Sequence, residues 1–172
     1  MRYGIMEVQI ESFVKPGLSP IKMAQAVRGF NHARLVKKIA KEGFDIIELS
    51  GDLTLLDENA YSPQTVERLQ ELKQQMGIGY TVHLPFWSLE LASPQEGVRR
   101  ASVDAVVTSI QQTLPLEPEA YVLHGTGKMA AEFACMEMAA MARPHIVRHF
   151  RNYARDSVAE ILEQTQIDPR RL

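Results

Sequence analysis

The apolar positions of this chain follow two periods. Runs at residues 3–10, 45–50, 78–84 and 120–124 are short and β-like, and each passes into polar or turn-forming residues. Around them, apolar residues recur at helical spacing. Ser19 and Pro20 suit the N-cap and first position of a short helix reaching Arg28. Asn31 caps a second helix whose stripe is Leu35, Val36, Ile39 and Ala40, and Gly43 suits its C-terminal stop. Ser62 and Pro63 open a helix with Val66, Leu69, Leu72 and Met76 on one face, closed by Gly77. Ser93, Pro94 and Glu96 have the arrangement of a capping box ahead of Val98, Ala101, Ala105, Val106 and Ile110, the expected buried side of the next helix. A long helix then runs from about Pro144 through Ile146, Val147, Phe150, Ala154, Val158, Ile161 and Leu162. The closing IleAspProArgArgLeu holds a turn signal and reads as the approach to another strand.

Strand then helix, repeated four times, predicts an α/β fold with a parallel sheet covered by helices. Four βα units make a partial TIM barrel, half of a (βα)8 barrel that typically takes about 250 residues. The 172 residues read as a single domain, the N-terminal half of such a barrel, ending where a fifth strand is expected. The alternative is a self-sufficient, doubly wound sheet of four strands.

Composition narrows the class. The apolar fraction of 45% and the charged fraction of 23% are those of a soluble globular protein. A net charge of −2 gives no electrostatic argument for nucleic acid or an anionic membrane. The single cysteine, Cys135, excludes an internal disulfide and fits a reducing compartment. The N-terminal residues lack a signal-peptide core, and no apolar stretch approaches the ~18 residues of a membrane span, so a cytoplasmic protein is expected.

The candidate chemistry sits at the strand ends. ThrValHisLeuProPhe (81–86) and TyrValLeuHisGlyThrGly (121–127) each end an apolar run in a histidine, with a helical stretch at about 94–114 between them. A parallel pair joined by a crossover helix places His83 and His124 at the C-terminal edge of one sheet, where parallel α/β folds keep their sites. The first two strands supply Glu7, Gln9 and Glu11, then Glu48, Ser50 and Asp52. Glu48, flanked by IleIle and Leu, is the best placed of these carboxylates, either as a site residue or as a hydrogen-bonded strand end. Asp52, in SerGlyAsp, reads as a loop residue. A catalytic zinc site takes about three protein ligands and an open position. His83, His124 and one glutamate fall at or just below that count, so a divalent ion, zinc or manganese, is expected to be weakly held or absent in this chain. GlyThrGlyLys (125–128) offers backbone amides and the Lys128 charge for a phosphate or carboxylate, which makes Gly125, Gly127 and Lys128 substrate-binding candidates. Trp87, just after Phe86, is suited either to stack on a substrate or to pack under its loop.

Other motifs carry less. His145 and His149 share a helix face, but IleValArg replaces the glutamate of a metalloprotease motif, and an exposed pair is expected. His32 follows the N-cap asparagine and is expected at the surface. The methionine-rich segment 129–141 is apolar on most faces and reads as a core-packed helix or as a cover for an apolar ligand or partner. Cys135 lies inside it without a neighbouring base or cation, which argues against a nucleophile.

GlyPheAspIleIleGluLeuSer, ThrValHisLeuProPhe, LeuAlaSerPro, ArgArgAlaSerVal and TyrValLeuHisGlyThrGly together resemble the xylose isomerase-like, AP endonuclease family 2 superfamily of TIM barrels. Its members include sugar phosphate isomerases and epimerases, endonuclease IV-type phosphodiesterases and a cobamide-remodelling phosphodiesterase branch. The resemblance implies that His83 and His124 contribute to a divalent metal site and that Glu48 contacts substrate or metal. It also implies further ligands, a glutamate on the fifth strand among them, from a region beyond these residues. The expected function is metal-dependent isomerisation or epimerisation of a sugar phosphate, or phosphoester hydrolysis, incomplete in this chain alone. The alternative is a non-catalytic half-barrel that folds or functions only by self-association or with a C-terminal half. A homo-oligomer with a small sugar phosphate or phosphoester substrate is the expected assembly.

Overall fold

The computed structural model describes residues 1–7, 31–135 and 143–172. The anticipated helix from Pro20 to Arg28, the strand-end residues Gln9 and Glu11, and the C-terminal part of the methionine-rich segment lie outside the described residues. Four strands form one parallel sheet in the order β1 (Gly4–Met6), β2 (Ile46–Ser50), β3 (Gly79–His83) and β4 (Tyr121–Val122). Met6, Glu48 and Thr81 share one register row, and Ser50 lies opposite His83. Beside β3, the amide of Glu119 donates to the Tyr80 carbonyl at 2.8 Å and that of Val82 to the Ala120 carbonyl at 3.0 Å.

Local chemistry sets the helix ends. Helix α1 (His32–Ala40) starts where the Asn31 side chain accepts the Arg34 amide at 2.9 Å. Helix α2 (Pro63–Met76) has Ser62 as N-cap and ends at Gly77, whose φ of 65° is left-handed and costs glycine little. Helix α3 spans Glu96–Thr113, α4 spans Gly127–Cys135 and α5 spans Arg143–Thr165.

The chain divides into two compact units. The first holds Met1–His83 and Gln112–Tyr121, and the second holds Leu84–Gln111 and Val122–Leu172. In the first, Ile47, Leu49, Tyr80 and Val82 are fully buried, whereas Ile46, Glu48 and Thr81 on the alternate positions are only half-buried. Strand alternation explains the contrast, since the two sets face opposite sides of the sheet. The Tyr80 hydroxyl donates to the Leu69 carbonyl at 2.9 Å, tying β3 to α2. Burial, with a smaller push from the Glu7 charge, raises the Tyr80 pKa well above the usual phenol value. Arg2 and Glu119 form a two-pronged ion pair across Gly79, where a Cβ would collide with both side chains.

In the second unit, Ala92, Ala130 and Phe150 form a small core joined by Met129, Phe133, Ile146 and Ala154. This realises the core-packed reading for the described part of the methionine-rich segment. Arg99 is buried and donates to Glu96 on its own helix, and to Ser157 at 3.2 Å and Glu160 at 2.8 Å on α5. Ser157 in turn donates to the Leu91 carbonyl at 2.7 Å.

Several expectations need correction. Val98 and Ala101 are exposed, and Ser102, Val103, Val106, Val107 and Ile110 make the buried side of α3. The helix is rotated because Arg99 turns inward to reach Glu160. Glu96 spends its carboxylate on Arg99 and Arg100, which holds its pKa down to about 2, so it completes no capping box. Ser93 instead accepts the Gln95 amide at 3.2 Å. Asp52 is buried within a 3-10 turn (Gly51–Leu55). The closing residues form another such turn (Pro169–Arg171), with Asp168 accepting the Arg170 amide at 2.9 Å.

Candidate functional site

The first unit carries a buried polar cluster at the end of β1. Glu7 follows Met6 and extends the β1 ladder, donating its amide to the Glu48 carbonyl at 3.0 Å. One of its carboxylate oxygens accepts the Ser50 amide at 2.9 Å, and the other meets His32 Nε2 at 2.7 Å. His32 Nδ1 lies 2.9 Å from the Ala60 carbonyl. A carbonyl only accepts, so Nδ1 carries a proton, and the remaining proton of the pair lies between Nε2 and the carboxylate. Both side chains are essentially excluded from solvent, at 1% and 0% exposure, which leaves each dependent on the other. Tyr61 packs edge-on against the imidazole at 5.1 Å and donates to the Ser50 carbonyl at 2.8 Å. Burial, then the charges of Glu7 and Asp52, raises its pKa far above the usual phenol value.

His32 is therefore a core residue, and the expectation of a surface position fails. The N-cap role of Asn31 turns the following side chain inward, beneath the 51–60 turns. Glu7 had a visible signal, an acid inside an apolar strand. Its partner had none, being 25 residues away.

The sequence-predicted candidates fall in both units. In the first, Glu48 is half-buried and accepts the Thr81 hydroxyl at 3.4 Å. His83 closes β3 and is 7% exposed. In the second, His124 lies two residues beyond β4 and is exposed, with its ring stacked on Phe86 at 4.6 Å between centroids and 20° between planes. Phe86 meets Trp87 edge-on at 6.1 Å, and Trp87 is 55% exposed. These three aromatic side chains line a cleft of about 410 Å³ with Thr126, Gly127, Lys128 and Ala131. Gly127 has φ 76° and opens α4. Lys128 is exposed and lies 3.7 Å from Glu132, one turn on. Gly125 has open space around it.

Glu90 was not anticipated. Its carboxylate accepts the Met129 amide at 2.8 Å, taking one of the free N–H groups at the start of α4. An acid between Leu89 and Leu91, in a loop that precedes a crossover helix, was its only trace in the sequence. His145 and His149 are exposed on α5, as expected. Cys135 is exposed at the end of α4.

A larger cleft of about 630 Å³ lies in the first unit, lined by residues including Asn31, His32, Thr54, Asp57, Asn59 and Arg68. Among the described residues, no three His, Cys, Asp or Glu side chains come together closely enough to hold a metal ion. A catalytic divalent site takes about three such ligands, so the described residues do not by themselves fit an ion.

No family model matches the chain. An uncharacterised protein of Methanocaldococcus jannaschii is 32% identical over 89 residues, which is 52% of this chain and 29% of that protein. Among solved structures, a D-tagatose 3-epimerase-like protein superposes over 96% of this chain with a TM-score of 0.58 and 21% identity. The D-psicose 3-epimerase of Clostridium cellulolyticum H10, solved with D-tagatose, gives 0.62 and 16% over the same share. An L-ribulose 3-epimerase gives 0.57 and 20%. The chain spans 49%, 49% and 46% of those structures, about half of each. At these identities the likeness speaks for the fold alone: this chain has the fold of a partial TIM barrel, about half of each of those structures.

Proposed function

We propose that this chain forms one half of a sugar isomerase or epimerase, and that the Phe86–Trp87–His124 cleft takes the sugar. The observation that carries the reading is the likeness over 96% of the chain to a D-tagatose 3-epimerase-like protein, a D-psicose 3-epimerase and an L-ribulose 3-epimerase. Of the two reaction classes the sequence left open, these neighbours favour isomerisation over phosphoester hydrolysis.

The chemistry of the residues agrees. A sugar ring has an apolar face of C–H groups and a polar rim, and aromatic walls with a few polar side chains are what such a ligand needs. Trp87 and Phe86 supply the walls, and Thr126 and Lys128 supply polar contacts. Isomerisation and epimerisation move a proton on carbon next to a carbonyl, which requires a positioned base. Within the first unit, Glu48 is the carboxylate proposed for such a step, and its Oε2 takes the Thr81 hydroxyl at 3.4 Å. In the second unit His124 lines the cleft itself, and in the first His83 closes β3 as a buried polar residue. A second half-barrel, in this proposal another copy of the chain, covers the half-buried side of β2 and β3 that carries Glu48.

Trp87 is the only tryptophan in the sequence, so intrinsic fluorescence reports on the cleft alone. Titration with D-tagatose or D-fructose is expected to give a saturable change. Phe86→Ala, which keeps the reporter, is expected to weaken binding about tenfold, the equivalent of ~1.4 kcal/mol of lost aromatic contact. A wild-type signal that stays linear with sugar concentration would contradict the assignment.

A further inference from the structure

We propose that Glu90 is a resident anion that sets substrate class: it fills the amide cradle at the start of α4, so the cleft admits an uncharged sugar and rejects a phosphorylated one. The proposal rests on the sugar-binding reading above and narrows it.

Three observations converge on this carboxylate. Oε1 accepts the Met129 amide at 2.8 Å, occupying a donor that a phosphate at this helix end would use. Oε2 is buried and has no hydrogen-bond partner among the described residues, a costly state for a carboxylate oxygen. It packs against Gly127, where a Cβ would collide with Oε2, with the Glu90 carboxyl carbon and with the Leu89 carbonyl. The glycine that looked like part of a phosphate loop thus admits a side chain of the protein itself. Gly127 and Lys128 also line the Trp87 cleft, so the Glu90 carboxylate lies behind its glycine wall.

The Glu90 backbone is fixed as well. Its amide donates to the Ser102 hydroxyl at 2.9 Å, and its carbonyl accepts the Ser93 amide at 3.0 Å. A bound phosphate would have to share the helix terminus with this carboxylate, and two like charges a few ångströms apart repel strongly in a partly buried site. Lys128, 80% exposed, points its charge outward to Glu132 rather than offsetting Glu90.

The test uses inorganic phosphate as probe, by calorimetry, beside fluorescence titration with D-tagatose. Wild type is expected to show no saturable phosphate binding. Glu90→Ala frees the Met129 amide, removes the charge and is expected to gain phosphate affinity about tenfold or more. Glu90→Gln removes the charge but keeps the acceptor and fills the space, so its gain should be smaller than that of Glu90→Ala. Glu90→Ser serves as the opening variant should the alanine form fail to fold. Phosphate binding by wild type as tight as by the opened variants would overturn the proposal. So would the absence of any gain in an opened variant with wild-type helix content. The phosphate result stands whether or not D-tagatose binds, so failure of the sugar reading is seen separately.

Discussion

Replacing His32 by alanine is expected to lower folding stability by about 3–5 kcal/mol, the usual cost of breaking a buried ion pair by removing one partner. The reason is the stranded carboxylate. Among the described residues Glu7 would keep the Ser50 amide as the one donor to its carboxylate, in a region that excludes solvent. Glu7→Ala should cost a similar amount by removing the carboxylate that faces His32 Nε2, and the double variant should cost clearly less than the sum. Urea midpoints of the three variants measure this coupling, and additive losses would show that the two side chains do not act as a pair.

The same pair gives a pH signature. Burial by itself lowers the His32 pKa, but the Glu7 charge and hydrogen bond and the Ala60 carbonyl outweigh it, so the net shift is upward. A group whose folded-state pKa is raised contributes its full stabilisation below its unfolded value, about 6.5 for histidine, and loses it as pH rises through the folded value. Wild-type stability should therefore fall as pH rises above about 6.5, and His32→Ala should lack that decline.

The second large effect concerns assembly. The chain is expected to sediment as a dimer at micromolar concentration. Among the described residues β1 and β4 each have one strand neighbour, which leaves a backbone edge on either side of the sheet. Parallel sheets are covered on both faces, yet Ile46, Glu48 and Thr81 remain half-buried while their alternates Ile47, Leu49, Tyr80 and Val82 are sealed. A second copy satisfies both requirements, and closed two-fold pairing is the commonest way to do so. Equilibrium sedimentation decides the matter. A monomer that keeps its wild-type unfolding midpoint at every concentration would contradict this expectation.

The parts of the fold legible in the sequence are those where one residue has one physical job. Asn31, Ser62 and Gly77 mark helix ends because caps and left-handed turns depend on local chemistry. The strand runs around Ile47 and Val82 are apolar because one face is sealed. Misreadings arose where a distant partner redirected a residue. Arg99 rotates α3 toward Glu160, 61 residues on, and exposes Val98. Glu7 pulls His32 inward over 25 residues, and Glu90 reaches Met129 over 39. Strand-end candidates such as Glu48 and His83 could be named from their runs. The aromatic stack of Phe86 on His124 could not, because periodicity says nothing of loop side chains meeting across a crossover.

The central claim is that the aromatic cleft, and not the larger one beside His32, receives a sugar. Amide and indole chemical shifts recorded during titration with D-tagatose test it residue by residue. The account predicts shifts at the Trp87 indole and at Thr126, Gly127, Lys128 and Ala131, with the signals of Thr54, Asp57, Asn59 and Arg68 unchanged. Shifts confined to that second group, or none at saturating sugar, would contradict it.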